Sequence, residues 1–218
     1  LDLEGDTIMS EHHEQTFWTK YIFSTDHKVI GKQFLWLGLF FLFFGGFQAM
    51  LIRWQLSYPD LAVPVWLLGN FLFEGGRMTS DHYNQLITMH GTIMIFWAIT
   101  PLLIGAFGNF VIPLQIGAPD MVFPKLNMFS FWTFFLSGVV LVASYFLPGG
   151  TAAAGWTSYP PLSTPVGGIP GLGQVFWTLS ITLMGAATMM GAINYITTII
   201  RSRAPGMGYF KMPLTIWG

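Results

Sequence analysis

Four stretches of this chain, residues 33–52, 86–112, 128–147 and 175–200, contain no Asp, Glu, Lys or Arg. Each is about as long as the roughly 20 residues needed to cross the hydrocarbon core of a bilayer, or longer. In that solvent every backbone N–H and C=O must be satisfied within the protein, which leaves helices or a closed barrel. A barrel strand is about 10 residues of alternating polarity, whereas these runs are continuous and far longer. The fold class expected is therefore all-α: a polytopic transmembrane helix bundle with four complete spans and a fifth starting near Pro213. Only 9% of the residues are charged, against about 25% in an average soluble domain.

Basic residues orient such a bundle, because positively charged loops tend to stay on the cytoplasmic side. Lys20, Lys28, Lys32, Lys125, Arg201, Arg203 and Lys211 fall on one side, and only Arg53 and Arg77 on the other. The N-terminus and the 113–127 and 201–212 loops are thus expected inside, and the 53–85 and 148–174 segments outside. Residues 1–30 are polar and lack the pattern of a cleaved signal peptide, so they read as an aqueous inner extension ahead of a membrane domain over 31–218. With no cysteine, the chain offers neither disulfides nor thiolate-bound metals.

Inside the second stretch sits His90, an ionisable group with no charged partner in its run, and such a group is a functional hypothesis by default. Neutral imidazole is the commonest protein ligand for a metal and a standard axial ligand of haem iron. The plain alternative is a His bonded to a Thr or a carbonyl of the next helix. A run starting at 86 puts His90 roughly 6 Å below its outer end. His12, His13 and His27 precede the first span. His82 is eight residues upstream, roughly 12 Å away if the segment is helical, so a second axial ligand has to come from elsewhere.

At the inner end, IPLQIGAPDMVFPKLN places Asp120 between two prolines, with Asn109 before it and Asn127 after it. An acid at the membrane surface flanked by amides can gather protons and pass them to a water chain; it can also be a solvated turn Asp following Pro119. Ser130, Thr133, Thr188 and Asn194 either extend this polar track or bind helices together. Small residues at Gly45 and Gly46, Gly105 and Gly108, and Gly185 to Gly191 allow close helix approach. Pro101 is expected to bend the second span or to be absorbed by a neighbouring polar group.

FSTDHKVIG, LIRWQL, YNQLITMHG, GAFGNFVIPLQIGAPDMVFPKLNMFSFW, GWTSYPPLS and MGAINYITTIIRSRAPGM resemble, in family order, subunit I of cytochrome c oxidase in the haem-copper oxidase superfamily. The resemblance runs from about Phe23 onward. It implies that His90 is an axial ligand to the iron of a low-spin haem, of the haem a kind, and that Arg53 and Trp156 contact polar substituents of the haems. It also implies that Asp120 is the mouth of a D-type proton channel, with Asn109, Asn127, Ser130, Thr188 and Asn194 along it. Where many members carry a Ser-Ser pair in the fourth span, this chain has Ala187-Thr188.

The family's high-spin haem and copper ligands lie on later helices, so no residue here binds oxygen and the chain reads as the N-terminal part of a longer subunit. The implied activity is reduction of oxygen to water with electrons from cytochrome c, coupled to proton pumping. It implies a copper-containing subunit II and a subunit III as partners, membrane lipid as surroundings, no nucleic acid, and a bacterial inner membrane with the N-terminus cytoplasmic. A quinol-oxidising relative is the alternative, and a non-redox channel or transporter with a structural His90 the remote one.

Overall fold

The computed structural model describes residues 16–218. Among the described residues, four helices are long and apolar enough to cross a membrane: α1, His27–Ser57; α2, Ser80–Ile116; α3, Pro124–Phe146; and α4, Gly173–Arg201. Each covers one of the uncharged runs, except that α3 stops one residue short of 147, and extends it at the other ends by up to six residues. The extensions carry the charges and caps that hydrocarbon does not tolerate and interfacial water does. Asp26 caps α1 by accepting from the backbone N–H of Lys28 at 2.6 Å and of Val29 at 3.3 Å. Thr79 caps α2 by accepting from His82 N–H at 3.3 Å. His82 and His90 therefore share one helix.

Successive helices run antiparallel, as cross-links at both ends record. His27, at the start of α1, donates from Nδ1 to Asn109 O near the end of α2 at 2.7 Å, and Gly45, far along α1, meets His90. Trp177, early in α4, donates to Thr92 Oγ1, while Thr198, late in α4, receives Val122 N–H from the α2–α3 loop. The seven basic residues named above thus gather at the Asn109 end of the bundle, and Arg53 and Arg77 at the His90 end. Arg53 sits within α1, and not in a loop as the 33–52 boundary implied.

Within the 1–30 stretch, the described residues begin at 16. His27 and Ser24 are buried, and Trp18–Ile22 forms a helical turn tied to the bundle by Gln33 and Trp132, which both donate to Ile22 O. His12, His13 and the rest of 1–15 lie outside the described residues.

The core is aromatic: Phe34, Phe41, Trp97, Phe131 and Phe134 are buried together between α1, α2 and α3. Close approach of α1 to α2 rests on a heptad of glycines. A Cβ on Gly31, Gly38 or Gly45 would lie 2.8 to 2.9 Å from Phe110, Leu102 or Met94 respectively. On α1 these contacts recur every seven residues, and on α2 every eight. Eight residues in two turns is about four per turn, wider than the 3.6 of an α-helix. Residues Ile93–Ile99 and Pro101–Gly108 are indeed π-helical, with the wider i→i+5 bonding. Pro101 is absorbed there, and Thr100 Oγ1 donates to Ile95 O at 2.8 Å.

Of the other small residues, Gly105 packs on Phe34 and Gly108 on Tyr195, whereas Gly46, Gly185 and Gly191 meet nothing within 4 Å. The apolar segment near Pro213 opens as a single helical turn, Leu214–Trp217.

Candidate functional site

The chemistry-bearing residues form two groups, one at each end of α2. At the first, His90 is half-buried and its Nδ1 lies 3.0 Å from Gly45 O. A carbonyl only accepts, so Nδ1 carries a proton, and in the neutral ring Nε2 would keep its lone pair. This is the second-shell bond that ligating histidines make, which fixes tautomer and ring orientation and raises ligand basicity. It is also the bond a merely structural His90 would make. An imidazole has two nitrogens, so the difference between the readings rests on Nε2, which has no hydrogen-bond partner among the described residues.

Beside it, Gly91 faces open space, where a Cβ would meet nothing within 4 Å. Gln48, one turn along α1 from Gly45, is buried with both amide atoms unpartnered. Among the described residues, no three His, Cys, Asp or Glu side chains come together as a metal site. A single nitrogen donor is too few for a protein-only metal centre such as zinc, which takes three or four ligands. It suits haem iron, which draws on the protein only for axial ligands. The donor set at His90 therefore fits a haem.

Two further residues reach this end. Arg53 is exposed on α1, eight residues beyond Gly45 and so roughly 12 Å along the axis. Trp156 is half-exposed; it follows Gly155, whose N–H donates to Thr88 Oγ1 at 2.9 Å, and its ring centroid lies 6.1 Å from that of Phe96. The 147–172 loop also sends Thr151 to Met89 and takes a bond from Gln85 at Gly149 O. It is therefore seated on α2 around the turn that carries His90. The helix begins at Ser80, which puts His90 roughly 15 Å along it rather than 6 Å.

The second group is a web. Asn127 Nδ2 donates to Asn109 Oδ1 at 2.6 Å, and Asn109 Nδ2 donates to Gly105 O at 2.6 Å and to Tyr195 Oη at 2.9 Å. The Tyr195 hydroxyl donates onward to Ile104 O at 2.8 Å. Both asparagines are 1% exposed. They open onto a cavity of about 160 Å³ whose polar lining includes Asn109, Asn127, Ser130, Thr188 and Tyr195, with Ala187 on its apolar wall. Most of the remaining wall is apolar, from residues such as Phe34, Pro101 and Phe134, and a space of this size has room for several waters beside the polar groups. Ser130 Oγ donates to Asn127 O and Thr188 Oγ1 to Met184 O, so their protons are tied to their own helices while their oxygens remain able to accept.

Asp120 stands apart from the cavity, on the Gly117–Phe123 loop, half-buried, its Oδ1 accepting from Met121 N–H at 2.6 Å. Asn194 is fully buried but does not line the cavity. Its Oδ1 accepts from Phe123 N–H at 2.9 Å, next to Thr198 Oγ1, which accepts from Val122 N–H at 3.0 Å. These two side chains of α4 thus hold the loop that carries Asp120. Thr133 bonds back to Phe129 O and also lies outside the cavity lining.

Tyr195 and His27 are the members of this group that the sequence did not single out. An aromatic in an apolar run reads as packing, and a His between Asp26 and Lys28 reads as surface.

A lone imidazole on an apolar helix at one end and an amide web below an acid at the other are found together with extensive likeness to known sequences. The chain is 41% identical over 198 residues to the "Probable cytochrome c oxidase subunit 1-alpha" of Streptomyces avermitilis, covering 91% of this chain and 31% of that protein. It is 41% identical over 194 residues to the "Cytochrome c oxidase subunit 1" of Corynebacterium efficiens, covering 89% of this chain and 31% of that protein. The chain thus spans about a third of the length of the curated relatives it matches. The family described as "Cytochrome C and Quinol oxidase polypeptide I" matches residues 29–218, nearly the whole bundle, and this multi-pass helical membrane chain belongs to that family.

Proposed function

We propose that this portion serves the electron-receiving and proton-receiving ends of a terminal respiratory oxidase, one that reduces oxygen to water with electrons from cytochrome c and pumps protons. His90 Nε2 is the axial donor to a low-spin haem, of the haem a kind, and Gly45 O fixes its tautomer and aim. Arg53 and Trp156 meet the polar substituents of the haems at the same end. The haem, when bound, supplies reversible one-electron iron chemistry that no side chain here provides. The high-spin haem and copper belong to the rest of the subunit, and a copper-containing subunit II and a subunit III are its partners.

At the other end Asp120 takes up protons from the inner, cytoplasmic side. Asn109 and Asn127 govern their passage to the cavity, where Ser130 and Thr188 offer acceptor oxygens to a water chain. Asn194 contributes by holding the Asp120 loop. The Ala187 methyl narrows the choice of acceptors without closing the cavity. Cytochrome c rather than quinol as donor is favoured by the printed names of the relatives. The bacterial sources of those relatives favour an inner-membrane location.

The observation that carries this reading is the His90 ring, with Nδ1 3.0 Å from the Gly45 carbonyl and Nε2 without a hydrogen-bond partner among the described residues. Its test is His90→Ala in the complete subunit. The low-spin haem contribution to the reduced-minus-oxidised spectrum is expected to vanish, and an unchanged spectrum refutes the assignment.

A further inference from the structure

We propose that Tyr195 is a positioning residue for proton passage: its hydroxyl locks the Asn109 carboxamide in the orientation that the Asn109–Asn127 contact requires. The inference rests on the proton-uptake reading given above and adds to it a residue from the fourth helix.

An asparagine amide turned by 180° exchanges donor for acceptor, so what a carboxamide at a narrow point can pass depends on what fixes its orientation. Asn109 is fixed from three directions. Oδ1 receives Asn127 Nδ2 at 2.6 Å, and the two Nδ2 hydrogens go to Gly105 O at 2.6 Å and to Tyr195 Oη at 2.9 Å. The Gly105 bond lies within α2 and travels with Asn109. The Tyr195 bond is the one that ties the amide to another helix on the donor side.

Tyr195 is itself fixed. Its hydroxyl proton goes to Ile104 O at 2.8 Å, so towards Asn109 it presents only a lone pair. That lone pair accepts from Nδ2 and would repel Oδ1, which selects one of the two amide orientations. A backbone carbonyl has two lone pairs, so Ile104 O, within the π-helical stretch Pro101–Gly108, can accept this bond beside one within its own helix. The ring approaches α2 at Gly108, where a Cβ would stand 3.1 Å from Tyr195 Cζ and Oη. With one lone pair taken by Asn109, the hydroxyl keeps a second, and Tyr195 lines the same cavity as Asn109, Asn127, Ser130 and Thr188. It thus has the means to accept from a water at the inner edge of that space.

The test is Tyr195→Phe in the complete oxidase, reconstituted in vesicles, with three readouts: haem spectrum, rate of proton uptake from the inner side, and protons pumped per electron. The ring stays on Gly108 and the spectrum is expected to be unchanged. Uptake is expected to slow by about two- to tenfold, the weight of one neutral hydrogen bond, with a larger solvent deuterium effect and a changed pumping ratio. A purely structural role would move none of these while the spectrum stays native. A native rate and ratio overturn the proposal.

If Tyr195→Phe does not assemble, Gly108→Ala decides, because it displaces the hydroxyl without removing it: slowed uptake supports the proposal, and native uptake overturns it. Asp120→Asn run alongside separates the two levels. Slowed uptake in that variant with native Tyr195→Phe refutes Tyr195 alone, and native uptake in both refutes the proton-uptake reading.

Discussion

The two ends of α2 differ in how their central side chains, Asn109 and His90, are bonded within the protein. At the Asn109 end every atom of the Asn109 carboxamide is bonded, and Asn127 and Tyr195 are drawn in from α3 and α4. At the His90 end the imidazole makes one bond of two, and the buried Gln48 makes none. An unpaired buried polar group costs about 1–3 kcal/mol, and such groups stand at both ends, Asn194 Nδ2 and Gln115 Oε1 on the Asn109 side and Gln48 on the other. The contrast therefore lies between the fully committed Asn109 carboxamide and an imidazole with one nitrogen free. Transfer of protons asks for orientation, which saturation supplies. Coordination asks for a free lone pair, which saturation would remove.

The variant with the largest expected effect strikes the open end. Loss of the low-spin haem spectrum in His90→Ala is expected to be complete, while Asn109→Ala leaves that spectrum in place. Equal spectral damage from both would dissolve the distinction between the ends. Next comes Asp120→Asn, for which turnover and inward proton uptake in vesicles fall by roughly tenfold or more, as for loss of a proton-transferring side chain. Normal pumping in that variant would remove the acid from the path.

Smaller effects probe packing at the same two ends. Gly105→Ala, in the saturated half, drives a Cβ to 2.6 Å from the Phe34 ring and is expected to cost about 1–3 kcal/mol, read as a lowered midpoint for thermal loss of haem absorbance. Gly46→Ala, near the open end, meets nothing within 4 Å and is expected to stay within about 0.5 kcal/mol of the parent. A reversal of that order would mean that Gly105, and not Gly46, has room for a methyl group.

The spans were legible because exclusion of charge from hydrocarbon leaves an unbroken signature, and each predicted run lies inside one observed helix except at the end of α3. Their ends were not, since Arg53 and Lys125 are excluded from a bilayer core but not from a helix reaching the interface. His90 and the two asparagines stand out as polar groups in or beside apolar runs. Asn194 stands out equally, yet its side chain supports the 121–123 backbone and does not face the cavity. Which side of a helix a polar group faces depends on its phase against its neighbours, which a continuous apolar run such as 175–200 does not reveal, and on α2 π-helical widening shifts that phase further. The same widening hid the Gly31, Gly38 and Gly45 series, whose partners follow a different repeat.

That widened stretch lies between His90 and Asn109 and so acts as the gear that couples their azimuths. Nineteen residues separate the two, and each residue added or removed turns one against the other by about 100°. A single deletion between 93 and 108 would swing His90 off Gly45, or Asn109 off Asn127, even with every side chain named here intact. A length change in the 58–79 connection, by contrast, would leave that angle untouched.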